Sequence, residues 1–326
     1  MKGWFNRKIA VAVTGLAVLI DLYTVDHRYV STDSFVEVPA GTAEFAPDGI
    51  DALILQDTTH YRVLDIPGFS RPDRSYFHHM IGGYHAAKLN RYEDLLQRML
   101  LHAVQVGYMP ELRNDSVRAS YPAELQQRLD NIVAAYRVLD MLNTRYIITG
   151  DQEAPVVYNT SALGSAWLVD SVAYVADADA EMAALASLDP GKMAVADARF
   201  ATTLGNRFGS LAPGDTIMLD SYTPNKLTYT SVAKTPSLGV FSEIWFPWGW
   251  KATVDGNPVE LGRVNYVLRA LAIPAGRHEI VMTFDPDSLH VTGGVADASV
   301  TLIYLLLRGA MFAAWRGIVN GTAKGV

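Results

Sequence analysis

Apolar and polar positions change rhythm along the chain, and each rhythm predicts a different element. Residues 9–20 form an unbroken uncharged apolar run behind Lys2, Arg7 and Lys8. With Trp4 and Phe5 before it and Asp21, Leu22 and Tyr23 after it, the run reaches the roughly 20 residues that cross a bilayer. A secretory signal shares the basic start and apolar middle, but no small-x-small cleavage site precedes residues 21–26. The run therefore reads as a retained membrane helix, with a cleaved signal as the alternative. At the other end, residues 298–315 are apolar apart from Arg308 and are followed by Arg316 and Lys324. In lipid, Arg308 has to face protein or snorkel. The alternative is an amphipathic helix lying on the domain. Basic residues outside both runs put both termini in the cytoplasm and residues 27–292 outside it, as a multi-pass protein of the cell membrane in contact with lipid.

Between the two runs the pattern first mixes periods. Residues 26–44 read as an irregular lead-in, and Pro47, Asp48 and Gly49 open a short helix. Residues 61–66 alternate and end at Pro67 and Gly68, which makes a strand closed by a turn. Leu89, Tyr92, Leu96, Met99 and Leu100 fall at helical spacing, as do Leu125, Leu129, Ile132, Tyr136 and Leu139 behind Pro122. Residues 108–120 read as loop. Strands are expected at 146–149, 156–158, 166–175 and 193–196, with a helix from Asp177 to about Leu188 that carries acids at its N-terminus. From Thr216 the period becomes two. Strands are expected at 216–219, 226–232, 239–246, 251–254, 267–273 and 278–284, with a hairpin at Asp255 and Gly256. The fold class that follows is an α+β extracytoplasmic domain followed by an antiparallel β-sandwich, flanked by two transmembrane helices. The expected divisions are 1–26, 27–205, 206–290 and 291–326.

Composition narrows the function. Half of the 326 residues are hydrophobic and the formal charge is −7 with no basic block, which argues against a nucleic-acid partner. Cysteine is absent, so disulfides, thiol nucleophiles and cysteine zinc sites are excluded. No dinucleotide, phosphate-loop or hydrolase-elbow motif occurs, and no cofactor is expected.

The densest chemistry lies at 74–96. Arg74, His78, His79, Tyr84, His85, Lys88 and Arg91 surround Gly82 and Gly83, whose missing side chains let backbone approach a partner. Lys88 and Arg91 are three apart and would share a helix face. Arg74, His78, Tyr84, His85, Lys88 and Arg91 are candidate contacts to a phosphate or a sugar. The plain alternative is a polar loop that caps the following helix. No acidic residue completes a cluster with the histidines, so no metal is expected. Trp245, Trp248 and Trp250, near Glu243, could stack on a glycan, but such a group also suits turn and core packing. Asp21 and Asp26, just past the first run, could serve as a general base or simply as interfacial acids.

Several stretches resemble one family. They are DLYTVDHRYV from Asp21, YRVLDI from Tyr61, SYFHHMIGGYHAAKLNRYEDLL from Ser75, LDMLNTRYII from Leu139, ALGSAWLVDSV from Ala162, and VFSEIWFPWGWKATVDGNPVELGRVNYVLRALAIPAGRHEIVMTFDP from Val240. In these the chain resembles the C-terminal part of the YfhO family of bacterial multi-pass membrane proteins. That family is similar to glycosyltransferases of the GT-C type, which move a sugar from a polyprenyl-phosphate carrier to an acceptor such as a cell-surface polymer. The resemblance implies that this chain is the extracytoplasmic portion of such an enzyme in the cell envelope. It also implies that catalysis sits in an N-terminal block of membrane helices missing from this sequence, so no residue here inherits the catalytic role. Whether the chain is an enzyme is left open, and a non-catalytic membrane-anchored module that binds glycan or protein is the alternative.

Overall fold

The computed structural model describes residues 7–31 and 46–322, in two compact units divided at residue 48. In the first unit, α1 (Arg7–Tyr29) is one helix whose described side chains are exposed. It runs past Asp26, so the start of the expected irregular lead-in is helical, and most of the remainder lies outside the described residues. The flanking residues Lys2, Trp4, Phe5 and Lys324 also lie outside them.

The second unit opens with α2 (Gly49–Ile54) and β1 (Arg62–Asp65). α3 (Asn90–Leu95) and α4 (Leu101–Val106) are joined by one wide turn over Leu96–Leu100, which turns Leu95, Leu96, Met99 and Leu100 all inward. Residues 108–120 are not loop. They hold a tight turn at Pro110–Arg113 and α5 (Asp115–Ala119), where Asn114 accepts the Ser116 N–H at 2.9 Å as an N-cap. α6 (Gln126–Met141) is buried on nearly every side from Ile132 onward, as its almost continuous apolar run demands. Leu125 precedes it and is exposed rather than part of the buried stripe. β2 (Thr144–Ile148) then lies parallel to β1, the helices forming the crossover that a parallel pair needs, and β3 (Val156–Tyr158) returns antiparallel to β2.

The expected strand over 166–175 is two strands. β4 (Ala166–Val169) and β5 (Val172–Val175) break at Asp170 and Ser171 and join different sheets. After α7 (Ala178–Leu185), β6 (Ala194–Asp197) pairs parallel with β5, and α8 (Ala201–Leu204) follows. The period-two region gives β7 (Thr216–Thr223), β8 (Lys226–Ala233), β9 (Ser237–Ile244), β10 (Trp250–Val254), β11 (Asn257–Val259), β12 (Gly262–Val264), β13 (Leu268–Ile273) and β14 (Gly276–Phe284). β11 and β12 have only three residues each, too short to show a period. The hairpin at Asp255 and Gly256 forms as expected, both residues having the positive φ of a two-residue turn.

These strands make two antiparallel sheets, ordered β11-β10-β14-β8-β7 and β12-β13-β9-β4. Leu227, Tyr229, Ile280 and Met282 of the first share one apolar cluster with Phe241, Leu271 and Ile273 of the second. The second sheet draws strands from both sides of residue 205, because β4 pairs with β9. Its other face joins the larger core around α6 through Val240, Leu268 and Ala270. α9 (Asp287–Thr322) ends the described chain. The unit is thus mixed helix and sheet; α9 in it, and α1 in the first unit, are each long and apolar enough to cross a membrane.

One buried ion pair ties the layers together. Arg263 on β12 and Glu181 on α7 are fully buried and 2.6 Å apart, and Glu181 also accepts the Tyr266 N–H at 3.0 Å. Asn265 and Tyr266 both have positive φ, and Asn265 Oδ1 holds the Val195 N–H of β6. Removing one partner of a buried pair leaves the other charge unpaired. Glu181→Ala is expected to cost about 3–5 kcal/mol in urea unfolding of the full chain. Glu181→Leu combined with Arg263→Met should recover much of that loss. A single variant within about 1 kcal/mol of wild type would contradict this role for the pair.

Candidate functional site

The six residues singled out at 74–91 divide into three groups. Arg74 and His78 are enclosed. The Arg74 guanidinium pairs with Asp51 and, at 3.0 Å, with Asp65, and His78 Nε2 lies 3.1 Å from the same Asp51 carboxylate. Here the side chains pin the segment to α2 and β1. Arg91 sits over the Tyr266 ring at 4.7 Å and 3.8 Å from Glu181, inside the interlayer pair described above. Tyr84, His85 and Lys88 line a second region, an open cleft of about 420 Å³ with an apolar floor that includes Tyr92, Leu96 and Ile244. Lys88 precedes the Leu89 N-cap of α3, so it shares no helix face with Arg91, and it pairs with Glu93 at 3.2 Å. Gly82 is required by packing, since a Cβ there would lie 2.2 Å from the Phe69 carbonyl oxygen.

The tryptophans do not form a common platform. Trp245 lies under Arg263 and edge-on to Phe200, and Trp250 lies under Arg269 at 3.7 Å, while Trp248 is exposed on a turn. Asp21 and Asp26 stand on α1 in the first unit. Among the described residues, no group of three His, Asp or Glu side chains could hold a metal ion.

A larger cleft, about 750 Å³, lies elsewhere, lined among others by Thr59, His60, His79, Arg145, Asp220 and Tyr222. Three rings meet in its wall. His60 stacks on Tyr222 with centroids 4.0 Å apart and planes 22° from parallel, and His79 meets both edge-on at 4.9 and 5.6 Å. Each ring comes from a different part of the fold. His60 sits just before β1, His79 beside the isolated bridge of Met80 to Val63, and Tyr222 near the end of β7.

Behind the rings is Glu243 of β9, the one charged residue of that strand. Its carboxylate lies 3.1 Å from His60 Nε2 and 3.7 Å from the Arg62 guanidinium. Arg62 also donates to the Leu142 and Ser242 carbonyls, at 2.9 and 2.6 Å. Burial opposes ionisation of Glu243, but the His60 hydrogen bond and the charges of Arg62 and Arg269 win, holding its carboxyl at about 2. Burial draws Arg269 down to about 10. It also lowers His79, with the charges of His60 and Arg62 adding to the effect, so the His79 ring is neutral at pH 7. Next to the cleft residues Thr59 and Arg145, Asp57 is held at about 2, because hydrogen bonds from Thr59, Arg145 and Tyr146 outweigh its burial. His60 lines the larger cleft and Arg62 the smaller, so Glu243 is bonded into the walls of both.

The set of groups has a clear chemical character. It offers ring faces, hydroxyls, one guanidinium and one exposed carboxylate, in an open and largely polar cavity. Such walls suit a polyhydroxylated ligand better than an apolar one. Glu243 and Asp57 are already paired, which makes them weak proton acceptors at neutral pH. The cluster was not visible along the chain, because His60 and Glu243 are 183 residues apart. The one available signal was Glu243 itself, a charge in an otherwise uncharged strand. No protein-family model, curated protein or solved structure matches the chain.

The Glu243 geometry fixes a pH dependence. The unfolded glutamate protonates near 4.5 and the folded one at about 2. Its stabilising charge is therefore fully present above pH 4.5 and is lost as pH falls towards 2. Glu243→Gln should lie on the order of 3 kcal/mol below wild type at pH 6, with the gap closing towards pH 2, in unfolding curves of the full chain. A gap that stays constant across this range would contradict the assignment.

Proposed function

We propose that this chain is the extracytoplasmic portion of a YfhO-like membrane glycosyltransferase, and that the cleft at His60, His79 and Tyr222 holds a sugar. The sugar belongs either to the polyprenyl-phosphate-linked donor or to the cell-surface polymer that accepts it. The observation that carries this reading is the cleft: about 750 Å³, walled by a stacked histidine–tyrosine pair with Arg145 and Asp220. Tyrosine faces pack on the C–H faces of sugar rings, while guanidinium and carboxylate groups take the hydroxyls. Support for the membrane setting comes from the two apolar helices at the chain ends. In this reading residues 27–292 face away from the cytoplasm, both termini lie inside, and the two antiparallel sheets act as a β-sandwich that braces the cleft. In this reading no described residue is assigned the catalytic step.

A second reading, a non-catalytic membrane-anchored glycan-binding module, is favoured by one specific feature. Glu243, which bonds His60, and Asp57, which bonds Thr59 and Arg145, are locked in ion pairs and suit binding rather than proton transfer. Both readings predict that the full chain in lipid nanodiscs retains cell-envelope glycans on an array, and that Tyr222→Ala weakens retention roughly tenfold through loss of stacking. They separate in a glycosyl-transfer assay. If the same variant also slows glycosyl transfer from a polyprenyl-phosphate donor, the first reading holds; unchanged transfer favours the second. Absence of glycan retention by the wild-type chain would contradict both.

A further inference from the structure

Trp248 is 69 % exposed, although it is among the largest apolar side chains in the unit. Its turn is not loose. The Gly249 carbonyl accepts the Asp285 N–H at 2.7 Å, and Gly249 has φ +99°, which favours glycine. A Cβ on Gly249 would lie 2.8 Å from both Phe284 Cε2 and Pro286 Cβ. Phe246 packs edge-on to Trp248 at 5.3 Å, and Trp250 lies 5.3 Å from Phe284. Lys251 bonds Asp285 at 2.9 Å and Asp287 at 3.1 Å. The turn is thus fastened to the segment that becomes α9, whose first residue is Asp287.

The length of α9 sets the depth of that fastening. The candidate membrane span Asp287–Arg316 has 30 residues, and at a rise of 1.5 Å each it is about 45 Å long. A bilayer with its headgroups is about 40–45 Å thick. When the whole of this span crosses, Asp287 stands at the outer edge of the headgroup layer, with Pro286 and the Trp248 turn beside it. Lys251 offsets the acids there. At the far end of the same helix Phe312 and Trp315 lie 6.0 Å apart, as a second aromatic pair. Tryptophan favours the membrane interface, where its ring is buried among headgroups and its N–H stays wet.

We infer that the turn Pro247-Trp248-Gly249 is an interfacial anchor, which docks the folded unit onto the lipid headgroup layer that α9 enters. The inference rests on α9 crossing a membrane and not on the glycan reading. It gives Trp248 a lipid surface rather than a sugar as its partner.

Because the chain has no cysteine, single-cysteine variants of the full chain can each carry one spin label. Three positions suffice: Pro247→Cys, which leaves Trp248 in place, Leu302→Cys within α9 and Glu153→Cys on an exposed loop. In nanodiscs of phosphatidylethanolamine and phosphatidylglycerol, collision with oxygen against a water-soluble nickel chelate reports depth. The expected result is a label deep in lipid at 302, in water at 153, and between the two at 247. A water-exposed label at 247 with a lipid-buried label at 302 would overturn the anchor while leaving α9 in the membrane. A water-exposed label at 302 would overturn the membrane reading and the anchor together. Adding Trp248→Ala to Pro247→Cys should move the 247 label towards water, and an unchanged depth would overturn the role of Trp248.

Discussion

A buried carboxylate with too little water around it has to be neutralised by protein, and in this fold that requirement falls on Glu243. Three groups meet it: His60, Arg62 and Arg269. His60 and Arg62 flank the start of β1, Arg269 lies on β13, and Glu243 lies on β9. The charge therefore fixes the β1 layer against the β12-β13-β9-β4 sheet. Burying an ion pair is no guarantee of net stability, but leaving one member unpaired is costly. The arrangement thus specifies position more than it adds strength. It sets where the His60 ring stands, and through that ring where Tyr222 and His79 meet it. The same carboxylate touches Arg62, which walls the smaller cleft, so both cavities inherit their shape from one ionised group.

The second constraint is the Glu181–Arg263 pair at the β12 edge of the same sheet, where the hairpin of positive-φ residues Asn265 and Tyr266 locks onto α7 and β6. Between them the two pairs hold the four-stranded sheet between the helical core and the five-stranded sheet. Rigid layers of this kind let loops before β1 and at the end of β7 present side chains at fixed spacing. Binding residues on loops held by a rigid scaffold are a common outcome of such architecture.

Much of the fold was legible in the chain. The alternation of β8 and β14, the Asp255-Gly256 turn and the apolar runs at both ends each carry a local signal that packing did not override. The failures have physical causes. The break at Asp170 and Ser171 separates two strands that look continuous, because a short apolar run does not reveal that its halves join different sheets. α1 continues through polar Asp26, His27 and Arg28, which a hydropathy boundary would exclude. The polar segment 108–120 is helical because Asn114 caps it locally. The site was less legible. Residues 74–91 do concentrate donors and cations, but composition records their density and not their partners. Arg74 and His78 turn to Asp51 and Asp65, while His60, Tyr222 and Glu243, scattered over more than 180 residues, assemble only through the sheets.

The central claim is that the cleft at His60, His79 and Tyr222 receives a carbohydrate. Hydrogen exchange of the full chain in nanodiscs, with and without cell-envelope oligosaccharides, tests it most directly, since it reads every amide at once. Slower exchange confined to residues 58–60, 79, 145, 163–166 and 217–222 is the expected result. Unchanged exchange there, with new protection at the smaller cleft or nowhere, would contradict the account.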